Sequence, residues 1–314
     1  MLTVLGETIL YLSRAEVTRL LPSLPEQLEL ARQTYVAHAL GHAELPPKPG
    51  VHPREGAFIH AMPVYLADRD IAAVKWIGGS RANTSRGLPY LSGLIILNDG
   101  ETGCPRAVLE AAEITGARTA AASAVCIAAF APQDWSAAAI IGCGEQARHH
   151  LRAIEALNPT AQIRAFDRNI ERARALGGRS SPCVSAREAA QGADVIITAI
   201  PLSRDGSPSV GVEALDRPVL VLPVDFDASV DACVPQQADL FLVDDEEQFE
   251  YYRRTGFFGG WPKPTATVGN VLSSESRAER VVCCNLGIAA LDAVFADAVH
   301  RSAIADGAGI ALPV

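Results

Sequence analysis

Residues 137–150, AAAIIGCGEQARHH, have the pattern of a buried strand followed by a glycine-rich turn and a helix. The turn has the spacing G-x-G-x-x-A, with glycine at 142 and 144 and alanine at 147. In a dinucleotide-binding turn, the first glycine permits the tight bend and the second lets a pyrophosphate approach the backbone, while a small third residue lets the helix pack on the strand. Ordinary strand-to-helix turns also carry this pattern, so the surrounding sequence has to decide between the two interpretations.

The sequence that follows the turn favours a nucleotide site. The second strand, AQIRAFD, ends in Asp167, 20 residues after Ala147, where a carboxylate would accept hydrogen bonds from a ribose. Two continuous apolar runs, DVIITAI and PVLVLPVD, then have the composition of strands buried on both faces. This alternation of strands and helices predicts an α/β fold with a Rossmann-like, doubly wound parallel sheet.

The predicted cofactor is NAD, because a carboxylate at position 167 would repel the additional phosphate of NADP. Arg168, next to it, leaves NADP open as an alternative. The candidate cofactor-binding residues in this part of the chain are Gly142, Gly144, Glu145, Gln146, Ala147, Asp167, Arg168 and Thr198. We expect His149 and His150 to lie on the surface of the following helix, without a catalytic role.

The rest of the chain differs in character from this middle part. Residues 14–41 have helical spacing of apolar positions, whereas residues 45–100 are rich in Pro and Gly and predict antiparallel strands. Residues 105–131 are helical by composition, and the tail from residue 277 to 314 is expected to be mainly helical.

These patterns predict two domains of ordinary size. A Rossmann-like dinucleotide-binding domain is expected over residues 119–284. Residues 1–118, together with residues 285–314, are expected to form a second, discontinuous α+β domain.

Composition excludes several classes of function. The net charge of −9, without any block of Lys or Arg, argues against a nucleic acid or an anionic membrane surface as partner. The seven cysteines have no CxxC spacing, the histidines form no metal-binding pattern, and a GxSxG nucleophile elbow is absent. We therefore expect a cytoplasmic protein with free thiols and no metal. The N-terminal stretch is a poor signal peptide, and the apolar run at 120–131 is too short to span a bilayer.

Three motifs before the glycine turn carry a more specific signal. They are VKWIGG, NTSRGLPYLSGLIILNDGETGCP and EITGARTAAASAV, in that order. With IIGCGEQA and the C-terminal helices, they resemble the ornithine cyclodeaminase/mu-crystallin family over nearly the whole chain. The resemblance implies an NAD(P)-binding Rossmann domain, and a substrate-binding and dimerisation domain built from both chain ends. It also implies a homodimer.

The resemblance further implies roles for individual residues. Lys75 matches a lysine that contacts the substrate carboxylate, and Arg118 matches the arginine that clamps it. Thr119 matches a residue that approaches the cofactor phosphates, and Asp225 matches an aspartate near the reacting amino group. Elementary chemistry agrees with these roles, since arginine holds a carboxylate bidentately and a carboxylate at a strand's carboxyl end can accept the amine proton. Asp225 and Lys75 are therefore the catalytic candidates.

The chain departs from ornithine-type members at two candidate substrate-binding positions. Lys48 stands in a loop where many cyclodeaminases have an arginine, and His60 stands near the MP dipeptide where ornithine-type members can carry an acidic residue. The segment LPVDFDASVD also lacks the Gly-rich form often found around the aspartate. These departures argue against ornithine as the substrate.

The leading hypothesis is an NAD-dependent enzyme that acts on the Cα–N bond of a small α-amino or cyclic imino acid. A net dehydrogenase, a redox-neutral cyclodeaminase and a cyclic-imine reductase all remain open. The alternative from another class is a mu-crystallin-like protein that binds nucleotide and a small ligand without turnover. A short-chain epimerase is disfavoured because its YxxxK dyad is absent.

Overall fold

The computed structural model describes residues 4–202, 208–273 and 278–314. The chain divides into two compact units, Met1–Arg118 with Ile288–Val314, and Thr119–Gly287. The strands are, in chain order, β1 (Thr8–Leu12), β2 (Ala43–Glu44), β3 (Gly50–Val51), β4 (Ala57–Leu66), β5 (Ile71–Ser80), β6 (Leu91–Asn98), β7 (Pro105–Glu110), β8 (Ala137–Ile141), β9 (Gln162–Phe166), β10 (Ser180–Pro182), β11 (Val195–Thr198), β12 (Val219–Pro223), β13 (Leu240–Val243), β14 (Ala266–Thr267), β15 (Arg280–Cys284) and β16 (Ile310–Pro313).

The helices separate most of these strands. They are α1 (Arg14–Leu20), α2 (Leu24–Ala39), α3 (Ala82–Ser85), α4 (Ala111–Phe130), α5 (Glu145–Leu157), α6 (Ile170–Leu176), α7 (Ala186–Ala190), α8 (Cys233–Gln237), α9 (Glu246–Arg254), α10 (Val268–Leu272) and α11 (Ala289–Asp306), with a 3-10 helix at Val212–Leu215. No helix among the described residues is both long enough and apolar enough to cross a membrane.

The first unit is built on an eight-stranded sheet with the order β16-β1-β7-β6-β5-β4-β2, and β3 also pairs with β4. Only β1 and β7 run parallel in this sheet, and the other pairs are antiparallel. Helix α11 packs against β4, β5 and β6 and against α2. Most side chains of α11 are buried, so it forms the centre of this unit's core.

Two helices stand where the sequence predicts one over residues 14–41. Ser13 and Glu16 form a capping box at the start of α1, and Ser23 and Glu26 form a second one at the start of α2. Pro22 follows the end of α1, and the second cap, with Pro25 in the first turn, begins a new helix. The apolar spacing therefore continues across a break in the helix.

The expectation of helix over 105–131 is wrong for its first six residues. Residues 105–110 form β7, in which Ala107 and Leu109 are buried and their neighbours are less so. This alternation with a period of two is typical of a strand with one buried face. The alternation is hard to recognise in the sequence because the strand is short and the alanine-rich helix α4 follows it directly.

The second unit has an eight-stranded sheet with the order β10-β9-β8-β11-β12-β15-β13-β14. All of its neighbouring strands run parallel. The strand order reverses between β8 and β11, and ligands of doubly wound sheets bind at the carboxyl ends of the strands next to such a reversal. The predicted Rossmann-like fold is confirmed.

The expectation of a mainly helical tail from residue 277 is wrong for residues 280–284. This run, RVVCC, forms β15 and lies between β12 and β13 in the parallel sheet. Four of its five residues are buried, as in a strand covered on both faces. Arg277, where the expected segment starts, lies outside the described residues.

Candidate functional site

The two glycines of the turn differ in what requires them. Gly142 has a φ of +93°, and a Cβ there would lie 2.5 Å from the Ala199 carbonyl oxygen, so backbone and packing both require glycine. Gly144 has a φ of −86°, and a Cβ there would meet no atom of the described residues within 4 Å. Neither conformation nor packing explains the second glycine, whereas close approach of a ligand to the backbone does.

The turn leads into the N-terminus of α5, where the N-cap is Gly144, which has no side chain to cap the helix. The first N–H groups of a helix have no partner within the helix, and the aligned peptide dipoles favour an anion there. Glu145 and Gln146 stand in this first turn, and Ala147 is fully buried, as close packing of helix on sheet requires. The turn and helix therefore fit a pyrophosphate.

Asp167, at the end of β9, is joined to the glycine turn. Its Oδ2 accepts a hydrogen bond of 2.9 Å from the Cys143 N–H, and its Oδ1 accepts one of 2.8 Å from the Asn169 N–H. The side chain is half-buried, while Arg168 is exposed. The carboxylate thus lies beside the turn, as a ribose-binding group of a dinucleotide fold does.

Asp225 lies just beyond the carboxyl end of β12 and is 2% exposed. Its Oδ1 accepts a hydrogen bond of 2.6 Å from the Thr198 hydroxyl, and its Oδ2 accepts bonds from the Ser229 hydroxyl at 2.7 Å and the Ile200 N–H at 3.0 Å. Burial raises the pKa of Asp225 to about 6, although these hydrogen bonds act in the opposite direction. A carboxyl group with this pKa can accept and release a proton near neutral pH.

Two predicted carboxylate-binding cations of the first unit meet at one buried aspartate. The Lys75 Nζ lies 2.7 Å from the Asp292 Oδ2, and the Arg118 Nε lies 3.0 Å from the Asp292 Oδ1. The Lys75 Nζ also lies 3.4 Å from the Thr115 hydroxyl. All four residues are buried. Burial, more than any other influence, lowers the pKa of Lys75. The charges of Arg118 and Lys48 lower it further and Asp292 raises it, so that the pKa is about 7.

Lys48 and His60 also belong to this unit and are largely buried. His60 on β4 and Lys75 on β5 lie on the same face of the sheet, because their register partners are Ile77 and Met62. Burial, followed by the charge of Lys48, lowers the pKa of His60 to about 4, so the imidazole is neutral at physiological pH. Its ring packs against Phe58 with the ring centroids 4.6 Å apart.

The remaining candidates are also buried. Thr119 is 6% exposed and follows Arg118 in α4, and Thr198 is fully buried, where its hydroxyl holds Asp225.

The expected surface position of His149 and His150 is wrong, since both side chains are buried. The His150 Nδ1 lies 2.7 Å from the Gln146 carbonyl oxygen, and its Nε2 lies 2.9 Å from the Ser123 hydroxyl. Because a carbonyl only accepts, Nδ1 carries the proton and Nε2 accepts from the hydroxyl. Burial lowers the pKa of His150 to about 4, so this histidine is a neutral link between α4 and α5.

Sequence reasoning missed Asp292, Thr115 and Ser229. Asp292 lies in the run AALDAVFADAV, where two aspartates, Asp292 and Asp297, interrupt an otherwise apolar helix. Such a carboxylate needs a cationic or hydrogen-bonding partner when it is buried, and this is the signal that could have found it. Thr115 stands one helical turn before Arg118, and Ser229 stands in the loop after Asp225.

Comparison with known proteins settles the relationship of the chain. The family model described as "Ornithine cyclodeaminase/mu-crystallin family" matches residues 8–303. The chain belongs to this family.

Several similar proteins match this chain over almost its entire length. The nodulation efficiency protein NfeD of Rhizobium meliloti is 32% identical over 95% of this chain and 97% of its own. The structure of Thermococcus litoralis Δ1-pyrroline-2-carboxylate reductase with NADH and L-proline matches at 27% identity and a TM-score of 0.83, over 96% of this chain and 99% of that one. An archaeal alanine dehydrogenase dimer with bound NAD matches at 27% identity and a TM-score of 0.84, over 97% and 99%.

Proposed function

We propose that this chain is an NAD-dependent enzyme that acts on the Cα–N bond of a small α-amino or cyclic imino acid. The observation that carries the proposal is Asp225, a buried carboxyl group beyond the end of β12 whose pKa is raised to about 6. Three donors orient it, so it is built to exchange a proton at one fixed position. Family membership agrees, since the pyrroline-carboxylate reductase and the alanine dehydrogenase bind NADH or NAD.

The residues that would hold NAD lie in the second unit. Gly142, Gly144 and the N–H groups of the first turn of α5 would bind the pyrophosphate. Asp167 would accept hydrogen bonds from the ribose and disfavour NADP, while Arg168 is the group that could favour NADP instead. When bound there, NAD accepts a hydride from Cα or returns one to it.

Carboxylate recognition would belong to Arg118 and Lys75. Arg118 uses its Nε on Asp292, and no hydrogen bond of its two terminal nitrogens is found among the described residues. A guanidinium edge of this kind matches the two oxygens of a carboxylate. Lys75 adds a point charge, and Lys48 is a third cation of the same unit.

Asp225 would take the proton of the substrate amine, so that the amine nitrogen can form an imine with Cα as the hydride leaves. Water can then hydrolyse the imine to a keto acid and ammonia, or a side-chain amine can attack the imine carbon and expel ammonia. In the opposite direction, Asp225 would supply the proton for reduction of a cyclic imine.

Ornithine, whose side chain carries an ammonium group, is disfavoured as the substrate. His60, which burial and the nearby cations keep neutral, offers a side-chain ammonium group no carboxylate to pair with. Lys48 and Lys75 would repel such a group.

A homodimer and a cytoplasmic location complete the proposal. The outer face of the first unit's sheet carries the cross-strand pairs Trp76–Leu94 and Val74–Ile96, and Trp76 and Leu94 are 51% and 42% exposed. An apolar patch of this kind is typical of a subunit interface, and the archaeal alanine dehydrogenase is a dimer. All seven cysteines are free, which suits a reducing compartment.

The test is mass spectrometry of products from a panel of small α-amino acids, each incubated with and without added NAD. The proposal predicts a keto acid or a cyclised product from at least one of them, dependent on NAD. Tight NAD binding without any product, in both directions, would favour a mu-crystallin-like binding protein.

A further inference from the structure

Asp292 connects the two cations that the proposed function assigns to the substrate carboxylate. It comes from α11, while Lys75 comes from β5 and Arg118 from α4, so three separate elements meet at this carboxylate. The side chains of Lys75, Arg118 and Asp292 are 1%, 7% and 2% exposed. A carboxylate in this apolar environment is stable only when it is paired, and here each oxygen has its own cation.

In the part of the chain that the structure describes, these contacts occupy only some of the N–H groups of each cation. Arg118 gives its Nε to Asp292, which leaves the terminal end of the guanidinium for another acceptor. Lys75 has three N–H groups, of which Asp292 and the Thr115 hydroxyl account for two. Asp292 therefore holds both cations from one side and leaves donors on each for a second anion.

We propose that Asp292 is a positioning residue, which orients Arg118 and Lys75 so that their remaining N–H groups bind the substrate carboxylate. This inference rests on the proposed function, because that function supplies the carboxylate. Asp292 does not itself contact the reacting atoms in this scheme.

Asp292 also sets the charge of Lys75. Burial and the charges of Arg118 and Lys48 lower the pKa of Lys75, whereas the charge of Asp292 and its hydrogen bond raise it. His60, on the same face of the sheet, is neutral and adds no charge. Removal of the Asp292 charge leaves the lowering influences unopposed, so Lys75 loses its proton at a lower pH.

The protonation of Lys75 can be measured directly, because the chain contains few lysines. The sequence contains only three lysines, Lys48, Lys75 and Lys263. Lysine labelled with ¹³C at Cε gives one NMR signal per residue, and Lys75→Arg assigns the signal of interest. The pKa of Lys75 can then be followed in the full-length protein without any substrate.

The experiment compares the wild type with Asp292→Asn, and with Asp297→Asn as the matched control. Asp297 is a second largely buried aspartate of α11, but it pairs with Arg301 and Arg106. We expect Asp292→Asn to increase the acid dissociation constant of Lys75 by at least about tenfold, while Asp297→Asn leaves it unchanged. An unchanged Lys75 titration in Asp292→Asn overturns the inference.

A second variant, Asp292→Glu, separates position from charge and retains both pairings if Asp292→Asn does not fold. It should keep the Lys75 titration close to that of the wild type but displace the two cations by the length of a methylene group. We expect an increase in KM for L-proline or L-alanine of at least about tenfold with a smaller change in kcat. An unchanged KM in Asp292→Glu contradicts the positioning role. If the wild type turns over no amino acid, the proposed function fails, whereas the NMR titration still decides the relationship between Asp292 and Lys75.

Discussion

Thr198 and Asp225 are joined by a buried hydrogen bond of 2.6 Å, in which the hydroxyl donates to Oδ1. Thr198 pairs with Pro223 in the parallel register of β11 and β12, so both residues stand at the carboxyl edge of the sheet. Parallel strands place their carboxyl ends along one edge, which is where doubly wound sheets carry out their chemistry. Together with the Ser229 hydroxyl and the Ile200 N–H on Oδ2, this hydrogen bond fixes the orientation of the Asp225 carboxyl group.

Asp225→Asn should abolish turnover and retain cofactor affinity, because the amide keeps the size of the side chain but accepts no proton. We expect kcat to fall by on the order of 10²–10⁴-fold, with NADH binding by fluorescence titration close to that of the wild type. Asp231→Asn, in the same loop, is the control, since its carboxylate accepts a hydrogen bond from the Cys233 N–H. Full activity in Asp225→Asn would remove Asp225 from the mechanism.

The raised pKa of Asp225 predicts a pH dependence of stability. Between its ordinary pKa of 3.8 and the folded value of about 6, the native state binds more protons at this group than the unfolded state. The contribution of Asp225 to the free energy of unfolding is therefore highest below pH 4. It decreases as the pH rises from 4 to 6 and is constant above pH 6. Its contribution amounts to about 2–3 kcal/mol.

Denaturant unfolding at several pH values measures this effect as the difference between the wild type and Asp225→Asn. The wild type should lose stability relative to the variant as pH rises from 4 to 6. Parallel curves for the two proteins would show that the folded pKa of Asp225 is not raised.

The two turn glycines should respond differently to alanine. Gly142→Ala should lower the free energy of unfolding by at least about 2 kcal/mol, because it combines a positive φ with a backbone clash. Gly144→Ala should leave the thermal midpoint unchanged and weaken NADH binding, since its Cβ meets no atom of the described residues within 4 Å but would meet the pyrophosphate. Retained NADH affinity in a folded Gly144→Ala protein would contradict the cofactor site.

Asp167→Ser should shift the cofactor preference toward NADP. Removal of the carboxylate ends the repulsion of the additional phosphate, and the ratio of kcat/KM for NADP over NAD should rise by about tenfold or more. Glu171→Ser removes an exposed carboxylate that pairs with Arg174, and it should leave the ratio unchanged. Equal shifts in both variants would exclude a specific role for Asp167.

Trp76→Glu should dissociate the proposed homodimer, since it places a charge in the apolar outer face of the first unit's sheet. Light scattering coupled to size-exclusion chromatography gives the molar mass of each variant. Val184→Glu changes a side chain of the second unit that is 84% exposed, and it should remain dimeric. A wild-type mass in Trp76→Glu would show that this face is not the interface.

Much of the second unit was predictable because its signals are local. The glycine spacing, the apolar runs of β11 and β12, and Asp167 at the end of β9 each depend on a few consecutive residues. The strand β15 was not predicted, because RVVCC is a short apolar run and periodicity does not distinguish a strand from a helix over so few residues. The strand β7 was not predicted for the same reason. It is also short, and the long helix α4 follows it directly.

The contacts around the candidate site depend on tertiary structure, and this is why sequence reasoning missed some of them. Asp292 is separated from Arg118 by 174 positions, so no spacing rule links them. His150 has the helical neighbours of a surface residue, but Ser123 of α4 covers it. Only the packed fold shows that Asp292 is the common partner of Lys75 and Arg118.

The most direct test of the central claim follows the hydrogen at Cα. A small amino acid that the wild type consumes is supplied with deuterium at Cα together with NAD, and both the cofactor and the product are analysed by mass spectrometry. The account predicts that deuterium moves to the nicotinamide ring, or returns to Cα of a cyclised product through the recycled cofactor, and that Asp225→Asn prevents this transfer. Consumption of the amino acid with the deuterium lost to water, and none on the cofactor or the product carbon, would contradict it.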